Sequence, residues 1–173
     1  SRYEVGISHG VAGALAEKFL IPARALHALP DSIDDAMGAM VEPGGNSLRA
    51  SQAALAGPGR NILIWGTGTI GLLTALFAQA AGANVVVHDP VALHGVSLKH
   101  PELPVEQNLH KAFDSADAVV LATEWKEYRN LDPQTISAQV SNRLIIDGRN
   151  VLDIAKWQLA GFRVLALGRT IQN

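Results

Sequence analysis

The chain contains no cysteine. That single absence removes disulfides, thiolate nucleophiles and cysteine-held zinc together. It also suits a reducing cytoplasm, which is the expected location. Aromatic residues make up 5% of the 173 positions and charged residues 17%, against 48% hydrophobic. The balance is that of a globular chain, long enough to bury a real core, and not of a disordered one. Charge of neither sign dominates, since 14 Lys and Arg stand against 16 Asp and Glu for a net of −2. No basic face is implied, and nucleic acid is not an expected partner. No apolar run reaches the length of a membrane span, and no secretory signal pattern opens the chain. The six histidines are His9, His27, His88, His94, His100 and His110. None makes an i, i+4 pair on a predicted helix, so no metal site is expected from them. Ser8-His9 is not interpretable as a catalytic pair.

What is present is concentrated in residues 59–89. Ile62, Leu63, Ile64 and Trp65 form a short apolar run suited to a buried parallel strand. Gly66, Gly68 and Gly71 follow with the spacing G-x-G-x-x-G. In that pattern the first glycine allows a sharp turn, the second lets backbone approach a pyrophosphate, and the third seats a helix close to the sheet. The helix is predicted from Thr69 to Ala81 and is stopped by Gly82. Its free N–H groups and positive dipole end would face phosphates. Val85, Val86 and Val87 make the second strand, closed by Asp89. An acid at this distance from the glycines grips a ribose 2′-hydroxyl and repels a 2′-phosphate, which favours NAD over NADP. The expected cofactor-binding set is Gly66, Thr67, Gly68, Thr69, Ile70, Gly71, Asp89 and Thr123, with no catalytic residue assigned. A glycine-rich turn that binds nothing is the plainer alternative.

Further strands are predicted at 118–122, 143–147 and 162–167, and a weak one at Val96–Leu98 on the sheet edge. Alternation with helices implies an α/β fold, a doubly wound parallel sheet of Rossmann-like type. Numbering the weak strand third, the expected order is 2-1-4-5-6. Helices are predicted over Val105–Ser115, from Asp132-Pro133 to about Val140, and between Asp153 and Gly161. Before residue 58, Ala14–Ile21 reads as a strand stopped by Pro22. A helix start follows at Pro30-Asp31-Ser32, with Asp34 and Asp35 in its first turn, where solvated acids suit the dipole. A second helix is predicted from about Ser47 to Leu55 after Pro43-Gly44-Gly45-Asn46. Residues 1–57 are thus expected to be a small strand and helix appendage, and 58–173 the dinucleotide-binding domain.

Two positions at strand ends stand out. Glu124 and Trp125 read either as a nucleotide-facing pair or as a helix-start acid and a packed aromatic. Asp147 and Arg149 read either as a local ion pair or as a phosphate site, since arginine suits bidentate phosphate recognition.

Two resemblances meet at Asp89. Leu-Ile-Pro-Ala-Arg-Ala-Leu-His-Ala-Leu-Pro at 20–30, Val41-Glu42-Pro43 and the glycine loop through Leu73 resemble the medium-chain, zinc-type alcohol and polyol dehydrogenases. That resemblance, over residues 10–89, implies an NAD-binding domain preceded by the tail of a substrate domain. Glu42 matches a glutamate near the metal in that family, but one glutamate does not make a zinc site. From His88-Asp89-Pro90 onward the chain is similar to the C-terminal domain of UDP-glucose dehydrogenases. The carriers include Ser115-Ala116-Asp117-Ala118, Ala122-Thr123-Glu124-Trp125, Asp147-Gly148-Arg149-Asn150 and Gly168-Arg169. This second resemblance, over residues 88–169, implies a doubly wound domain that helps to bind a UDP-sugar. It places Arg149 where an arginine contacts substrate, with Glu124 as a second candidate. The lysine-containing loop of that family is replaced here by Gly66-Thr67-Gly68-Thr69, and its catalytic cysteine cannot exist in this chain.

The expected function is an NAD(H)-binding domain of oxidoreductase type, incomplete for catalysis by itself. The alternatives are a UDP-sugar-binding module and a structural domain whose edge strand 162–167 pairs across a homodimer.

Overall fold

The computed structural model describes residue 10 and residues 13–169, so Ser8-His9 lies outside the described residues. The chain divides into two compact units, Ser1–Gly38 and Ala39–Asn173.

In the first unit, residues 14–21 form no strand, contrary to expectation. Glu17-Lys18 interrupts the apolar alternation, and the unit offers no described strand to accept its backbone bonds. A single 3-10 turn covers Ala23–Ala25 after Pro22. The helix α1, Asp35–Ala39, begins at the predicted acids, with Asp34 Oδ1 accepting from the Met37 N–H at 2.7 Å.

The second unit opens with α2, Val41–Ala53, six residues ahead of the predicted start at Ser47. Pro43 falls in the first turn, where a missing N–H costs nothing. Gly44 continues the helix and is buried near α3 (Thr69–Ala80), where an added Cβ would stand at ordinary contact distance, 3.9 Å, from the Phe77 ring. Ser47 Oγ, fully buried, lies 2.9 Å from the Pro43 carbonyl and 3.2 Å from that of Ile70.

Five strands follow: β1 Asn61–Trp65, β2 Asn84–His88, β3 Ala118–Leu121, β4 Leu144–Asp147 and β5 Arg163–Ala166. They form one parallel sheet in the order β2-β1-β3-β4-β5. Ile62 pairs with Val85 on one side and Ala118 on the other, so β1 is central to its neighbours. This is the expected order without its third strand. Residues 96–98 lie instead in α4, Leu93–Lys99, whose Leu93 and Val96 form one buried face. The vacant edge position beside β2 is touched by Val105 alone, through a single parallel bridge to Val87. That bridge holds residues 104–106 extended, and the helix predicted from Val105 shrinks to α5, Leu109–Ala112, capped by Asn108. The short helix α6, Lys126–Arg129, follows β3. The helix predicted from Asp132-Pro133 is α7, Pro133–Ser137, and stops early because Ser141 and Asn142 donate to the Ala116 carbonyl. The last helix, α8, Ile154–Leu159, is capped by Asp153 and followed by Gly161 at φ +86°.

Alternate side chains of each strand serve opposite faces. Ile62, Ile64, Val85, Val87 and Val120 pack on the face that also holds Ala75 and Ala78 of α3. Leu63, Trp65, Val119, Leu121 and Ile145 pack with Phe113, Tyr128 and Trp157 on the other. Both faces being covered, every strand carboxyl end emerges at one rim.

Candidate functional site

The rim is centred on the loop from β1 to α3. Gly66 has φ +97°, a left-handed conformation that favours glycine. A Cβ there would also meet Thr123 Cβ at 2.7 Å, so the strand-end Thr123 packs directly on the turn. A Cβ at Gly71 would lie 1.9 Å from the Gly66 carbonyl oxygen, which is why the helix can sit so close to the strand. Gly68 differs from both. An added Cβ there meets nothing within 4 Å, and no side chain caps α3. In α5, α7 and α8, by contrast, Asn108, Asp132 and Asp153 fill the capping role. The first amides of α3, from Thr69 and Ile70 onward, therefore face an open position where the helix dipole is positive.

Asp89 is 6% exposed and spends its carboxylate on this loop. Oδ2 accepts from the Thr67 N–H at 3.0 Å; Oδ1 accepts from the N–H groups of Val91 at 3.0 Å and Ala92 at 3.1 Å. Burial pushes its pKa up, but the three backbone donors outweigh burial and hold it below the ordinary 3.8. The acid is thus charged, ties β2 to the glycine loop, and steers the chain into α4. Of about four lone-pair positions on a carboxylate, these donors take three. Thr67 Oγ1 is buried close to the same carboxylate without a hydrogen bond of good geometry.

Beneath the rim, His88 is a core histidine. Its Nδ1 lies 2.8 Å from Tyr128 Oη, whose hydroxyl donates to the His88 carbonyl at 3.1 Å. Which of Nδ1 and Oη donates to the other is set by the imidazole tautomer. Tyr128 stacks on Trp65 at 4.8 Å. Burial lowers the His88 pKa from 6.5, and Glu127, a bond to the Gln107 backbone, Asp89 and Glu106 offset this only in part. Burial likewise drives the Tyr128 pKa far up. The unfolded chain therefore binds a proton on His88 that the folded chain resists. Stability is expected to fall as pH drops below about 6.5, and His88→Gln to flatten that slope. Urea midpoints across that pH range check it.

An open groove of about 500 Å³ adjoins the loop, lined by Pro90 and Val91 after β2 and by Thr123 to Glu127 after β3. Trp125 is 41% exposed on its wall, so it is no packed aromatic, unlike the fully buried Trp65 and Trp157. Glu124 does not cap a helix. It pairs with Arg129 Nη2 at 3.4 Å and Arg149 Nη2 at 3.6 Å. The Asp147–Arg149 ion pair, one of the two readings of these residues, does not form among the described ion pairs. Asp147 is fully buried and accepts backbone N–H groups from Arg149, Val151 and Leu152 at 2.9–3.0 Å. Glu124 and Arg149, read separately in the sequence, are thus brought together, while Asp147 serves the backbone as Asp89 does. Glu42 lies in the first turn of α2, its Oε1 accepting from Asn46 Nδ2 at 3.3 Å. No group of three potential metal ligands gathers among the described residues, and no described helix is long and apolar enough to cross a membrane.

Residues 69–154 match the UDP-binding domain of the UDP-glucose/GDP-mannose dehydrogenase family. A UDP-glucose 6-dehydrogenase of Pseudomonas aeruginosa is 34% identical over 129 residues, 64% of this chain and 28% of that protein. An L-threonine 3-dehydrogenase of Protochlamydia amoebophila is 38% identical over 82 residues, 47% of this chain and 24% of that protein. The chain thus spans about a quarter of the length of these relatives. Among solved structures, an oxidoreductase/dehydrogenase of unknown specificity from Escherichia coli superposes with a TM-score of 0.71 at 20% identity, covering 94% of this chain and 50% of that one. An NDP-N-acetyl-D-galactosaminuronic acid dehydrogenase from Methanosarcina mazei gives 0.60 at 24%, covering 84% and 34%. The structural likenesses establish the Rossmann-like fold. The sequence matches show similarity to dehydrogenases, and over residues 69–154 to the UDP-binding domain of the UDP-glucose/GDP-mannose type.

Proposed function

We propose that the rim crevice binds the diphosphate of a nucleotide, with NAD(H) as the first ligand and a UDP-sugar as the second. The observation that carries this is the uncapped start of α3 beside the open Gly68. Backbone N–H groups converging at a helix N-terminus form an anion site with no further machinery. Gly66, Thr67, Gly68, Thr69, Ile70 and Gly71 shape that cradle, and Thr123 backs it.

The dinucleotide reading is supported by the glycine spacing and by the similarity to L-threonine 3-dehydrogenases. In it, the remaining lone pair of Asp89 takes the adenosine ribose and excludes a 2′-phosphate. NAD(H) would supply a hydride acceptor or donor; this chain supplies binding and orientation. The UDP-sugar reading is supported by the matched UDP-binding domain and by Arg149 and Glu124 at the groove. In both, residues 58–173 are the binding domain, residues 1–57 its appendage, and the chemistry needs substrate groups from elsewhere.

Calorimetry with NADH, NADPH and UDP-glucose tests the proposal. Binding of NADH or UDP-glucose is expected, and NADPH is expected to bind more weakly than NADH. Gly68→Val should weaken binding by about tenfold or more, since its side chain enters the phosphate position. It should lower the unfolding midpoint only slightly, because an added Cβ there meets nothing within 4 Å and the cost is that of a poorer helix cap. Absence of heat from every nucleotide at millimolar concentration would contradict the proposal.

A further inference from the structure

Two arginines from different elements converge on one carboxylate at the groove. Arg129 closes α6 and Arg149 follows β4, yet each directs an Nη2 to a different oxygen of Glu124, at 3.4 Å and 3.6 Å. Both guanidiniums and the carboxylate are substantially exposed, so burial does not force the pairing. The backbone around Arg149 is fixed independently. Its N–H donates to Asp147, and Asn150 Nδ2 donates to the Leu167 carbonyl. The arginine stem is therefore presented by a held turn, with only its head committed to Glu124.

A guanidinium pair spaced to share two oxygens of a carboxylate is spaced to share two oxygens of a phosphate. We infer that Glu124 is a displaceable internal anion: it occupies a phosphate subsite formed by Arg129 and Arg149, and a ligand's phosphate must evict it. The inference rests on the reading that the rim binds a nucleoside diphosphate. It adds that apparent affinity is set by competition between that ligand and the protein's own glutamate. Exposed ion pairs are individually weak, so eviction is easy and the subsite tunes affinity without blocking it.

The test is calorimetry with UDP and with inorganic pyrophosphate, on the full chain. Glu124→Gln removes the charge at nearly constant shape and is expected to tighten UDP binding about three- to tenfold. Arg149→Ala and Arg129→Ala should each weaken it. The discriminating measurement is Glu124→Gln combined with Arg129→Ala and Arg149→Ala. There the gain must vanish, because no arginine is left to release; a merely structural Glu124 would give the same change in both backgrounds. Wild-type binding with no gain from Glu124→Gln overturns the inference and leaves the nucleotide reading standing. Failure of both wild type and Glu124→Gln to bind either probe overturns both. Wild type silent with Glu124→Gln binding supports the inference.

Discussion

Gly71→Ala is expected to destabilise the domain by about 3 kcal/mol or more, the upper end of what overpacking costs. The added methyl would lie 1.9 Å from the Gly66 carbonyl oxygen and 2.9 Å from its carbon. Both are backbone atoms of the turn joining β1 to α3, so no side chain can rotate out of the way. The helix must lift off the sheet, taking Ala75 and Ala78 from the core with it. Gly68→Ala, three residues earlier, changes the chain by the same methyl and meets nothing within 4 Å. Its stability should match the wild type within about 0.5 kcal/mol. Denaturant unfolding of the two variants side by side measures the contrast. Equal stabilities would mean that the third glycine is not a packing requirement here.

Asp147→Ala is the second large effect, with an expected loss of about 3–5 kcal/mol. The carboxylate has no solvent exposure and collects three backbone donors from residues 149, 151 and 152. Truncation leaves those N–H groups without partners inside a loop that must reach α8. Asp147→Asn keeps the shape and part of the acceptor capacity, so it should lose less. Arg149→Ala should change stability by no more than about 0.5 kcal/mol, because Asp147 contacts its backbone and not its side chain. If instead Arg149→Ala and Asp147→Ala were equally damaging, the pair would act through an ion pair after all. Thermal unfolding of the three variants decides between these.

The parts of the fold legible in the sequence were those written in local chemistry. Three consecutive valines at 85–87, the apolar run at 62–65, and glycines at 66, 82 and 161 mark strands and turns through their own conformational preferences. Asp132 and Asp153 announced their helices because capping acts within three residues. Tertiary contacts overrode the local signals elsewhere. The β-branched Val96 suggested a strand, but Asp89 gathers the Val91 and Ala92 amides and launches a helix whose Leu93 and Val96 face the core. Val105 began a helical pattern, but two bonds to Val87 hold its neighbours Pro104 and Glu106 extended. Pro43-Gly44-Gly45 reads as a turn ahead of a helix, yet all three lie inside α2, where Pro43 suits the first turn and Gly44 is buried.

The site divides in the same way. The glycine spacing disclosed the cradle. The positions of Glu124 and Arg149 after strands disclosed that they belong to the rim. Their pairing with each other and with Arg129 has no linear signal, since Glu124 and Arg149 stand 25 positions apart and only the fold brings them together. The His88–Tyr128 bond, across 40 residues, was equally invisible. For Asp147 the adjacent arginine suggests a charge partner as one reading, whereas the buried acid after the strand satisfies the amides of its own turn.

The most direct measurement is a two-dimensional amide NMR titration of the labelled chain with NADH and, separately, with UDP-glucose. Amides Thr67 to Ile70 should move progressively and saturate with either ligand that binds, since the N–H groups of Gly68 to Ile70 would meet its diphosphate while Thr67, held by Asp89, stands in the same turn. Saturable shifts confined to other parts of the sheet, with these four unmoved, would contradict the assignment of the α3 start as the anion site.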